Sequence, residues 1–103
     1  MYYLLVYIPQ DYLEEVKSAM FEQGAGNVEN YDYCCWQTKG SAQFRPKQGS
    51  APFLGEVNKI HFETEWKVEF VVKEKFIKNV IAAMKKAHPY EVVAYSVFKM
   101  LDF

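Results

Sequence analysis

The 103 residues carry 12 basic and 13 acidic side chains, a formal net charge of −1, and half of them are hydrophobic, 17% aromatic. Such a chain is long enough for one core, too short for two, too apolar for disorder, and too evenly charged for broad affinity for nucleic acid or acidic membranes. No run approaches the ~18 apolar residues of a membrane span, and the N-terminus lacks a secretory signal's basic region, so a cytoplasmic setting is expected.

Residues 2–8, YYLLVYI, are aromatic and branched and predict a central strand that Pro9 ends. Asp11 is placed to N-cap a helix, with Glu14 three residues on as its capping-box partner. Leu13, Val16, Ala19 and Met20 share one face of that helix, and Gly24-Ala25-Gly26 supplies its stop. Residues 31–38, YDYCCWQT, predict a second strand. Its two cysteines, Cys34 and Cys35, are adjacent and so face opposite ways, which makes them poor disulfide partners and points to a reducing compartment.

Residues 39–57 hold three of the five glycines and two of the four prolines. They predict a long loop, with room for one short strand around Ala42–Arg45. Loops of this length within a compact domain are usually functional or disordered, and Phe44, Phe53 and Leu54 favour partial order. The clearest period follows: Ile60, Phe62, Thr64, Trp66, Val68, Phe70 and Val72 alternate with a mostly charged set. Period two over this length means a strand with one face on a core, and its excess length predicts a bend or bulge near Glu63–Glu65. A second helix is expected from about Glu74 to Ala87, with Ile77, Val80, Ile81, Met84 and Ala87 inward and Lys85 and Lys86 in its last turn. Pro89 stops it, and residues 93–101 predict the closing strand.

The order strand, helix, strand, loop, strand, helix, strand fits an α+β ferredoxin-like split βαβ sandwich: four antiparallel strands with two helices on one face. Two helices cover only one face. Yet Tyr3, Leu5 and Tyr7 are as apolar as Tyr2, Leu4, Val6 and Ile8 opposite them, and the last strand repeats this. An uncovered antiparallel sheet usually turns polar residues outward, so self-association through the open face is the preferred reading over a greasy solvated surface.

Four constellations could carry chemistry. In His88-Pro89-Tyr90-Glu91, the imidazole and carboxylate suit zinc or copper, whereas a helix stop and proline turn explain the same residues without metal. His61, Glu63, Glu65 and Glu69 share one strand face, read as an ordinary charged face because Lys59 and Lys67 interleave with them. Arg45 is the one arginine of the chain and sits in the glycine-rich loop, where it could meet a carboxylate or phosphate, or pair at an interface. Gly40, Gly49 and Gly55 would let backbone N–H groups approach an anion, although no phosphate-loop pattern is present. Cys34 and Cys35 have no basic neighbour and read as small buried hydrophobes.

The segments Asn30–Thr38, Gly40-Ser41-Ala42-Gln43-Phe44-Arg45-Pro46, Gly49-Ser50, Pro52-Phe53-Leu54-Gly55-Glu56 and His88-Pro89-Tyr90-Glu91-Val92-Val93-Ala94-Tyr95 together resemble YqfO-type members of the interacting-factor-three-like (NIF3-like) family. The resemblance is to the small PII- and CutA-like domain inserted into those proteins, and it covers essentially the whole sequence. It implies a homo-oligomer with three subunits as the expected count. It also implies a ligand or interface loop carrying Gly40, Gln43, Phe44, Arg45, Pro46, Gly49, Phe53 and Gly55. The histidines and carboxylates that hold a metal pair in the family's larger body have no counterparts among two histidines, so that activity does not transfer. The expectation is a non-enzymatic, self-associating binding or regulatory module with no cofactor, no nucleic acid and no membrane. The alternative is a CutA-like divalent metal-binding protein using His88 and Glu91.

Overall fold

A computed structural model describes residues 1–103. Strand β1 (Tyr2–Pro9) leads through a 3-10 turn (Gln10–Tyr12) into helix α1 (Leu13–Glu22), then β2 (Trp36–Phe44) and β3 (His61–Val72). A second 3-10 turn (Glu74–Phe76) opens helix α2 (Ile77–Ala87), and β4 (Tyr95–Lys99) closes the chain. The strands lie in the order β2-β3-β1-β4, all neighbours antiparallel, which is the ferredoxin-like sheet.

Pairing of Leu4 with Phe70, Val6 with Val68 and Ile8 with Trp66 puts the period-two apolar residues of β1 and β3 on one face. Both helices close over it. Leu4, Val6, Ile8, Phe70 and Val72 meet Val16 and Met20 of α1 and Val80 and Met84 of α2, all essentially without exposed surface. Each such side chain contributes about 1.5–3 kcal/mol by leaving water, so this dry layer is the main source of stability.

Four local expectations are corrected. Asp11 does not cap α1: neither it nor any other side chain bonds the first amides, and the 3-10 turn tightens the entry instead. Residues 31–35 are not strand. Tyr33 is left-handed at φ 56°, and only an isolated bridge joins Val28 to Tyr31. Lys39–Ser41, expected as loop, is strand, and the short strand allowed around Ala42–Arg45 is the end of β2, because β3 offers a continuous partner from Trp36↔Glu69 to Phe44↔His61. The bulge near Glu63–Glu65 is absent, since that register is unbroken. The length of β3 is accommodated differently: β1 ends opposite Glu65, and β2 with β3 runs on as a two-stranded ribbon. The molecule is accordingly elongated, 46 × 25 × 24 Å.

Between α1 and β2 the chain passes along the edge of β3, beyond the point where β2 pairs with it. Gly26 has φ 75°, its N–H donates to the Val71 carbonyl, and its carbonyl accepts from Cys34. A Cβ there would collide with the Cys34 backbone, so this crossing needs glycine.

Candidate functional site

The open face is unlike the core face. Toward the Tyr3 end it is mixed: Tyr3 lies between Val71 and Phe98, while Leu5 lies between Glu69 and Ser96. Toward the other end, Tyr7, Ala94, Glu65, Ala42 and Phe44 floor a cleft of about 460 Å³. Its walls are the loop after β2 (Arg45, Pro46, Lys47, Ser50, Pro52, Phe53, Leu54) and the turn before β4 (Tyr90, Glu91, Val92). The two motifs that carry the sequence resemblance, GSAQFRP and HPYE, therefore meet around one cavity.

Each wall is held by specific bonds. His88 ends α2: its backbone N–H donates to Met84, and Pro89 holds it extended at φ −73°, ψ 133°. Its ring is only 5% exposed. Nε2 lies 2.8 Å from the Tyr7 carbonyl oxygen, and the Tyr90 N–H donates to Nδ1 at 3.2 Å. These partners fix the neutral tautomer with the proton on Nε2. Burial holds the imidazole pKa below its usual value, with the Tyr7 bond a smaller opposing effect.

Tyr90 turns its hydroxyl to Glu65, donating to Oε2 at 2.8 Å. Its ring packs edge-on to His88 and tilted against Phe44. Glu65 is only 7% exposed. Burial pushes its carboxyl pKa up, the Tyr90 bond opposes this, and Glu63 adds to it. Tyr90 itself is driven well above the usual phenol range, by burial first and then by Glu65. On the far wall Glu91 accepts from the Ala51 N–H at 3.1 Å and ties loop to turn, while Phe53 packs edge-on to Tyr12 at 5.6 Å between ring centres. Gly55, at φ 90°, lets the loop return against His61 and Phe44.

Of the residues singled out in the sequence, Gln43, Phe44, Arg45, Pro46, Phe53 and Glu91 line the cleft. Gly40, Gly49 and Gly55 do not: Gly40 lies within β2 opposite Glu65, and the other two are turn positions. Arg45 makes no ion pair within the chain, and its side chain stands exposed. His88 lies beneath Tyr90 rather than in the cleft, bonded to a strand carbonyl rather than to the last helical carbonyls. Both ring nitrogens of His88 are engaged by backbone, and Glu91 Oε2 accepts from the Ala51 N–H.

The charged strand face is likewise paired off, His61 with Glu63 at 2.8 Å and Glu69 with the Tyr3 hydroxyl at 2.7 Å. Glu65 and Tyr7 as cleft residues went unnoticed. Glu65 stands in an ordinary charged alternation, and only its meeting with Tyr90, 25 residues away, sets it apart. Cys34 and Cys35 are free thiols, half-buried.

No family model matches the chain. Its sequence is 38% identical over 102 residues to the GTP cyclohydrolase 1 type 2 homolog of Halalkalibacterium halodurans, covering 99% of this chain and 27% of that protein. It is 40% identical over 95 residues to the Bacillus subtilis protein of the same name, covering 92% and 26%. The chain thus spans about a quarter of the length of these relatives.

Among solved structures, a Bacillus cereus protein related to NIF3 superposes with a TM-score of 0.84 at 31% identity, over 98% of this chain and 26% of that one. CutA1 from Pyrococcus horikoshii superposes with a TM-score of 0.71 at 16% identity, over 100% and 86%, a likeness of fold alone. The chain is thus homologous to one domain, about a quarter of the length, of NIF3/YqfO-family proteins, and that domain has a PII- and CutA-like fold.

Proposed function

We propose that this domain is a non-enzymatic, self-associating module that binds a small ligand in the cleft between the β2–β3 loop and the His88–Glu91 turn. The observation that carries this reading is the convergence of those two segments, some 40 residues apart, on one cavity with an exposed arginine at its edge. Ligand sites are concave, largely apolar and furnished with a few placed polar groups, and a volume near 460 Å³ is in the usual range. Around it, both His88 nitrogens are engaged by backbone, Tyr90 by Glu65 and Glu91 by the Ala51 N–H. That is an arrangement for holding a shape. Cyclohydrolase chemistry, which the relatives' name refers to, is not carried over to a quarter of their length.

Self-association uses the Tyr3 end of the open face, where Tyr3, Leu5, Val71 and Phe98 stand with Glu69 and Ser96; it lies beside the cleft and leaves it free. Three copies are the expected number, from the resemblance to PII and CutA proteins. The cytoplasm is the proposed location, supported by the free thiols. No helix is long and apolar enough to cross a membrane. Native mass spectrometry of untagged protein tests both halves of the reading, with a trimer carrying retained small-molecule mass expected. A monomer at micromolar concentration contradicts the assembly, and a cleft insensitive to every added small molecule contradicts the binding.

A further inference from the structure

The cleft has two unlike poles. At its floor Glu65 is almost wholly buried and accepts one hydrogen bond, from Tyr90 to Oε2. Its Oε1 makes no bond to protein, yet no buried side-chain oxygen of the molecule is left unpaired, so Oε1 retains accessible surface in a residue that lines the cleft. A carboxylate held in place through one oxygen and accessible at the other is a positioned acceptor for a donor group. At the rim stand Arg45 and Lys47, both exposed and neither in an ion pair. Between the poles the walls are Phe44, Phe53 and Leu54, which favour a flat apolar body.

Taking the cleft as the binding site just proposed, we infer that its ligand is a small aromatic amino-carboxylate, with its carboxylate in the Arg45 fork, its ring between Phe44, Phe53 and Leu54, and its amine donating to Glu65 Oε1. Arginine's paired N–H groups match a carboxylate bidentately, which gives the rim a directional preference as well as a charge. Charge balance narrows the class further. The two rim cations face two carboxylates, Glu65 and Glu91, so a compound with one anionic group is accommodated, whereas a polyphosphate with several negative charges is not.

Four probes separate these features in the full chain, by chemical-shift mapping and calorimetry: 4-aminobenzoate, benzoate, 4-aminobenzamide and ATP. The expected order has 4-aminobenzoate binding at least tenfold more tightly than 4-aminobenzamide, which lacks the anion, and severalfold more tightly than benzoate, which lacks the donor. Shifts should centre on Arg45, Phe44 and Ala94. Arg45→Gln should abolish the preference for carboxylate over amide, and Glu65→Gln should shrink the preference for the amine; light scattering confirms that each variant assembles like wild type.

Equal binding of benzoate, 4-aminobenzamide and 4-aminobenzoate overturns the inference, as does tightest binding of ATP. In either case shifts within the cleft leave the binding module intact. Absence of cleft shifts with all four probes at millimolar concentration overturns the inference and the binding reading together.

Discussion

The two faces of this sheet are made from the same strands and have opposite fates. On the helix side, Leu4, Val6, Ile8, Val68, Phe70 and Val72 meet only apolar partners and lose essentially all contact with water. On the open side the alternate residues form hydrogen-bonded pairs, Tyr3 with Glu69 and Glu65 with Tyr90, beside apolar side chains. A face sealed by its own helices is satisfied within one chain. The other keeps both apolar area and unfilled polar valence, which are the materials of recognition.

Adjacent residues allow the sharpest contrast. Leu4 and Leu5 differ by one position and by the face they occupy. Leu4→Ala should cost about 2–5 kcal/mol in denaturant unfolding, because it opens a cavity in the dry layer. Leu5→Ala should cost under about 1 kcal/mol in the separated chain, since its site already meets solvent. Equal costs would mean that the faces are not energetically distinct.

The next effect in size belongs to the cleft. Tyr90→Phe keeps the ring and removes the hydroxyl from Glu65, leaving a buried carboxylate without its donor, at about 1–3 kcal/mol. If Glu65→Gln is then introduced, the second change should cost far less than it does alone, because the shared bond is already gone. Strictly additive costs would deny the pair.

Acid response separates the two buried titratable groups. The folded pKa of His88 is lowered, so its contribution to stability is complete above about 6.5 and is lost as pH falls below that value toward the folded one. Glu65 is raised, so its contribution is complete below about 4.5 and is lost as pH rises through its folded value. The two slopes oppose each other in the mildly acidic range. Glu65→Gln should therefore steepen the loss of stability on acidification relative to wild type, and His88→Gln should flatten or reverse it. The smallest effect is expected at the exposed Glu56–Lys59 pair, where Glu56→Ala should change stability by less than about 0.5 kcal/mol.

What could be read in advance followed the strength of the local signal. The inward stripe of α2 and the alternation of β3 from Val68 to Val72 follow the sequence pattern because periodic burial is written into neighbouring residues, whereas Ile60 and Phe62, beyond the end of β1, are exposed. The start of β2 was misplaced because Tyr31 and Tyr33 look like strand residues, while Tyr33 adopts a left-handed turn that lets Gly26 and Cys34 pair. Its end was hidden for the opposite reason. Lys39-Gly40-Ser41-Ala42 has little intrinsic preference for extended structure and is held by the long partner strand. For the site, loop residues Phe44, Arg45 and Phe53 stood out by composition. Glu65 did not, because its burial depends on a tyrosine that only the fold brings to it.

In the proposed assembly the open face associates at its Tyr3 end while the cleft beside it stays available. Multi-angle light scattering on wild type and Leu5→Asp, each titrated with 4-aminobenzoate, puts it to the test directly. The account predicts a wild-type mass near three times the 12.1 kDa chain, a folded Leu5→Asp variant at the mass of one, and cleft binding in both. A monomeric wild type, or a Leu5→Asp variant that stays assembled, would contradict it.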